Sequence, residues 1–146
     1  MIRSLGVFFR RGSYALLVFL LGMATSSSRL GAQGSALVGP DGSVDWNRYY
    51  TSGDVEQILR EFHALYPGLT ELYTIGESLE GRKLWVMEVT SEITGPASEK
   101  PALYLDGGIH SGELTGSQVA LYAMGQLLAR YGRDPEVTDL LESYAF

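Results

Sequence analysis

In the string Leu105-Asp-Gly-Gly-Ile-His110-Ser-Gly-Glu113, His110 and Glu113 are of types that can share a metal ion. An imidazole and a carboxylate three positions apart converge only if the backbone around them turns, and Gly107, Gly108 and Gly112 relieve the steric limits on such a turn. Mixed nitrogen and oxygen donors suit zinc, which in catalytic sites takes three protein ligands and keeps one position for water. Spacing alone leaves a second reading open, a strand-end histidine hydrogen-bonded in place without any metal. Asp106 stands where it could support His110 from behind. The other histidine, His63, falls beside the apolar face of an upstream helical segment and reads as a solvated helix residue. Ser111, Thr115 and Ser117 have no histidine and acid placed for a catalytic triad, so capping of the helix after Glu113 is the role expected of at least one of them.

Such a loop needs a strand to deliver it and a helix to carry the chain away. Thr51-Ser-Gly-Asp54 has capping-box spacing, and Val55, Ile58, Leu59, Phe62, Leu65 and Tyr66 share one helical face until Pro67-Gly68 stops the run. Residues 69–75 and 84–90 read as neighbouring antiparallel strands, joined by a turn that two glycines mark. Residues 102–105 read as a short, buried central strand ending at Asp106-Gly107-Gly108. Apolar residues from Ala120 to Tyr131 then recur at helical spacing, with Gly132 at the C′ position. Asp134 and Pro135 open a short helix through residue 142, and residues 144–146 begin another strand. This order predicts an α/β or α+β sandwich on a mixed sheet. A strand that has only begun leaves a sheet edge open, so the expected domain is C-terminally incomplete.

Composition narrows the class. The chain of 146 residues is 45% hydrophobic and 11% aromatic, which argues for one folded domain. Four of the eleven basic residues precede residue 33 and all seventeen acidic ones follow it. The acidic remainder makes nucleic acid an unsuitable partner. With no cysteine, disulfides, thiolate ligands and a cysteine nucleophile are excluded. Basic residues followed by the apolar run 14–24 have the layout of a secretory signal peptide over residues 1–32, cleaved after Ala32. Export to the periplasm or medium is expected, with an uncleaved leader as a membrane anchor the alternative. Residues 33–50, rich in Gly, Ser and Asp, read as an aperiodic lead-in.

Three segments carry a resemblance in order and spacing: Tyr73-Thr-Ile-Gly76-Glu-Ser78-Leu-Glu80-Gly81-Arg82, Gly107-Gly-Ile-His110-Ser-Gly-Glu113, and Tyr131-Gly132-Arg-Asp134-Pro135. Together they resemble the N-terminal part of the zinc carboxypeptidase family, with the carboxypeptidase A/B-like metallopeptidases. The resemblance implies a three-layer α/β/α sandwich around a mixed sheet, of which residues 51–146 are the N-terminal part. It also implies Zn2+ as cofactor, with His110 and Glu113 as the first two metal ligands, and a peptide or protein C-terminus as substrate. The third ligand, a histidine, and the glutamate base and substrate-gripping arginines lie downstream in the family, so no catalytic residue is assigned within this chain and the 146 residues alone are expected to be inactive. Digestive-type members place an arginine between the two ligands, where this sequence has Gly112, which leaves the substrate preference open. Arg82 matches a family motif, although pairing with a carboxylate to hold its turn is the role its neighbours favour. Two other readings stand beside this one, a related zinc amidohydrolase or deacylase and a secreted non-catalytic binding module.

Overall fold

The computed structural model describes residues 35–110 and 112–146; the expected leader, its cleavage site and Ser111 lie outside them. Thr51 opens the first helix, α1 (Ser52–Leu65), by a reciprocal pair of bonds. The Asp54 amide donates to the Thr51 hydroxyl at 3.2 Å, and the Thr51 amide donates to the Asp54 carboxylate at 2.9 Å. That backbone bond, with a second one from the Thr51 hydroxyl, holds the Asp54 carboxyl below its ordinary value of 3.8. Ile58, Leu59 and Phe62 form the inner face of α1 and are buried.

Two antiparallel strands follow, β1 (Thr70–Glu77) and β2 (Lys83–Val89). Thr70 faces Val89, Leu72 faces Met87 and Thr74 faces Trp85, until the register shifts between Thr74 and Glu77. The connecting turn needs Gly81, whose φ of 74° is in the left-handed region. Arg82 pairs with Glu80 beside it, as the sequence led one to expect, and Lys83 reaches Glu77 at 3.2 Å. Both pairs are largely exposed, so they shape the turn more than they stabilise the fold.

The second and third helices are α2 (Leu114–Arg130) and α3 (Pro135–Ser143). At Gly125, α2 comes so close to α1 and the lead-in that a Cβ would meet Phe62 Cζ at 3.1 Å and Trp46 Cζ2 at 3.2 Å. Gly132 turns the chain out of α2 with φ 72°, and Asp134 caps α3 by accepting from the Glu136 amide at 3.0 Å.

The C-terminal residues join the sheet as expected. Val89 and Phe146 exchange two backbone bonds of 2.9 and 3.0 Å, the mutual pattern of an antiparallel pair. On the other side Ala145 donates to the Pro101 carbonyl at 3.0 Å and accepts from Leu103 at 2.9 Å, a parallel pairing. The hydrogen-bonded order is therefore β1, β2, the C-terminal residues, then residues 101–103, which is the start of a mixed sheet.

One expectation is corrected. Residues 102–105 are not a buried central strand: their pairing is a single bridge at Ala102, and Tyr104 is 76% exposed. A central strand needs a partner on each edge and a layer on each face, and among the described residues only the Ala145 side is paired. The lead-in is more ordered than its composition suggests. Its Val38 and Val44 bridge each other and are buried, and the Glu61 carboxylate of α1 accepts from the Leu37 and Val38 amides at 2.8 and 2.7 Å. Among the described residues no helix is long and apolar enough to cross a membrane.

Candidate metal centre

The loop between residues 103 and 114 carries the chain from the sheet to α2. It doubles back at His110, whose carbonyl accepts from the Glu113 amide at 3.0 Å. Glu113 is the N-cap of α2 but makes no side-chain cap bond, so its carboxylate is not engaged with the helix. It turns instead to the imidazole: His110 Nδ1 and Glu113 Oε2 share a hydrogen bond of 3.1 Å, whose proton a metal ion would displace, with both side chains well exposed.

That separation tests the pair as a zinc site. With Zn–N and Zn–O bonds of 2.0–2.2 Å, two ligand atoms on a tetrahedral ion lie about 3.4 Å apart. The observed 3.1 Å differs from this edge by a few tenths of an ångström, within the reach of a small rotation of either exposed side chain. One imidazole nitrogen and one carboxylate oxygen thus fit two of the three protein positions of a catalytic zinc. Among the described residues no third His, Asp or Glu joins them in a cluster.

Other residues singled out by sequence fall elsewhere. Among the described residues Asp106 makes no hydrogen bond to His110, whose Nδ1 is directed at Glu113. His63 is half-buried against the sheet rather than solvated: its Nδ1 lies 3.0 Å from the Thr70 hydroxyl. That hydroxyl donates to the Tyr66 carbonyl at 2.9 Å, so it accepts from His63, which places a proton on Nδ1. Neither Thr115 nor Ser117 caps α2, because Glu113 takes the N-cap position. The Thr115 hydroxyl meets Tyr49 Oη at 3.4 Å instead. Trp85 is half-buried under the Arg60 guanidinium, 4.6 Å above its ring. A pocket of about 380 Å³ opens between Trp46, Arg48, Tyr49 and the α2 residues Gln118 and Tyr122, and contains neither ligand candidate.

The glycines of the loop have separate tasks that composition did not distinguish. A Cβ on Gly107 would lie 2.4 Å from the Gly116 carbonyl carbon and oxygen and 2.7 Å from the Ser117 nitrogen, all backbone atoms. Gly108 has φ 81°, and a Cβ there would meet Ser117 Oγ at 2.4 Å. A Cβ on Gly112 would meet nothing within 4 Å among the described residues.

An α/β body whose glycine loop presents a histidine and a glutamate at the head of a helix defines a class, the zinc carboxypeptidases. The chain belongs to that family, described as zinc carboxypeptidase, whose sequence profile matches residues 55–146. It is similar to carboxypeptidase D of Anas platyrhynchos, 36% identical over 100 residues that make up 68% of this chain and 7% of that protein. Carboxypeptidase A2 of Rattus norvegicus is 30% identical over 102 residues, 70% of this chain and 23% of that one. The crystal structure of thrombin activatable fibrinolysis inhibitor (TAFI) superposes with a TM-score of 0.65 at 26% identity, covering 74% of this chain and 26% of its own. The carboxypeptidase fold expected from the sequence is the fold found. The chain spans about a quarter or less of each of these relatives.

Proposed function

We propose that His110 and Glu113 are the first two protein ligands of a catalytic zinc, and that the whole protein is a zinc-dependent metallocarboxypeptidase acting on peptide C-termini. The 3.1 Å convergence of imidazole nitrogen and carboxylate oxygen carries this reading, within a chain that belongs to the zinc carboxypeptidase family. The relatives' names, carboxypeptidases D and A2, support the substrate class. When bound, zinc supplies a Lewis acid that polarises a peptide carbonyl and lowers the pKa of a water molecule. The chain's own contribution is to present an imidazole and a carboxylate from one turn. Two protein ligands hold zinc weakly, and no third lies near them among the described residues, so the 146 residues alone are inactive. The basic and apolar composition of residues 1–32 supports export.

Release of a C-terminal amino acid from an N-blocked peptide tests both halves of this reading. The whole protein from its native source is expected to release it, and to stop when zinc is chelated. The 146-residue chain is expected to release none. Failure of the whole protein to release it, or chelator-sensitive release by the 146 residues alone, would refute the corresponding half.

A further inference from the structure

We infer that Gly107 and Gly116 are positioning residues for the metal ligands, and that their backbone contact sets the separation of His110 and Glu113. The inference rests on the zinc reading above. His110 ends one arm of the loop and Glu113 begins the other, and the two arms meet at their bases where Gly107 lies against Gly116 in the first turn of α2.

The contact admits no side chain from the Gly107 side. A Cβ there would stand 2.4 Å from the Gly116 carbonyl group and 2.7 Å from the Ser117 nitrogen, and helical backbone cannot swing aside as the tip of a long side chain can. From the Gly116 side the contact is tight rather than closed, with a Cβ at 3.2 Å from the Gly108 nitrogen. The φ of Gly107 is not in the left-handed region, so alanine there is blocked by the helix and not by its own backbone. Anything larger than hydrogen at 107 must push the arm ending in His110 off the helix that begins beside Glu113. Two donors already within 3.1 Å would then be spread, and a metal ion needs both.

Gly112 supplies the matched control. It sits between the two ligands in the same loop, and a Cβ on it meets nothing within 4 Å among the described residues. Gly107→Ala, Gly116→Ala, Gly112→Ala and His110→Ala variants of the 146-residue chain are compared for zinc affinity, by competition with a weak chromophoric chelator, and for melting temperature. Gly107→Ala is expected to lose roughly tenfold or more in zinc affinity when measured well below its melting temperature, the scale on which supports of metal ligands act. Gly116→Ala is expected to lose less and Gly112→Ala nothing. A merely structural role would lower the melting temperature of Gly107→Ala and leave affinity at low temperature unchanged, which overturns the inference. Should Gly107→Ala fail to fold, the order of Gly116→Ala below Gly112→Ala decides, and equal affinities overturn it. If His110→Ala binds zinc as well as the unaltered chain does, the zinc reading itself fails and takes this inference with it. If His110→Ala loses zinc while Gly107→Ala keeps it, the positioning role alone is refuted.

Discussion

Phe62→Ala is expected to destabilise the chain by about 3–5 kcal/mol, the cost of truncating a fully buried aromatic side chain. Phe62 has no exposed surface, and it stands where three parts of the chain meet. It projects from α1, packs tilted against Tyr66 with ring centroids 6.5 Å apart, and comes within 3.1 Å of the Cβ position at Gly125 in α2. Trp46 of the lead-in approaches the same glycine, so the space left by the missing ring opens onto two elements that cannot both close in. Domains of this size are stable by about 5–15 kcal/mol, which makes the loss a large share of the whole. Urea unfolding measures it. Leu79, wholly exposed in the β1–β2 turn, provides the contrast, since its alanine variant should change stability by no more than about 0.5 kcal/mol. A loss below about 1 kcal/mol for Phe62→Ala would mean that α1 and α2 are not packed as described.

Lys100→Met is expected to cost about 2 kcal/mol, although it keeps most of the side chain's apolar length. The Lys100 ammonium donates to the Ser91 carbonyl at 2.5 Å, the Thr90 hydroxyl at 3.0 Å and the Leu141 carbonyl at 3.4 Å. It thereby ties the end of β2 to the end of α3, next to where the C-terminal residues enter the sheet. The Leu141 carbonyl keeps its bonds from the Ser91 amide and the Thr90 hydroxyl when the lysine is lost. Among the described residues the Ser91 carbonyl keeps a 3.4 Å contact from the Thr94 hydroxyl, in a residue with no exposed surface. An under-satisfied buried acceptor is the source of the expected cost. Urea unfolding, with faster hydrogen exchange at Val89 and Phe146, is the expected signature. Unchanged stability and exchange would show that the lysine is a surface residue with incidental contacts.

Legibility in the sequence followed the range of the interactions. The capping box at Thr51 and Asp54, the Asp134-Pro135 start of α3 and the left-handed Gly132 are local, and each is found where residue type and spacing placed it. The β1–β2 pair was readable because alternation and turn chemistry act within about twenty residues. Residues 102–105 misled because an apolar run records the burial a strand needs and not whether its partners are present to supply it. The lead-in was opaque for the opposite reason: Val38, Val44 and Trp46 enter the core singly, held by Glu61 and Gly125 from distant helices, and no period marks them. At the site, His110 and Glu113 could be singled out by type, but their approach to 3.1 Å could not. Nor could the division of labour among the glycines, since Gly107 and Gly112 look alike until the position of α2 is known.

The central claim is that His110 and Glu113 together hold zinc. It is tested most directly by titrating zinc into the 146-residue chain while following the ring resonances of its two histidines by NMR. The expected result is that the His110 resonances shift or broaden with added zinc, that those of His63, bonded to Thr70, stay in place, and that Glu113→Ala weakens the response at His110. Resonances of His110 that ignore zinc, or a response at His63 equal to that at His110, would contradict the claim.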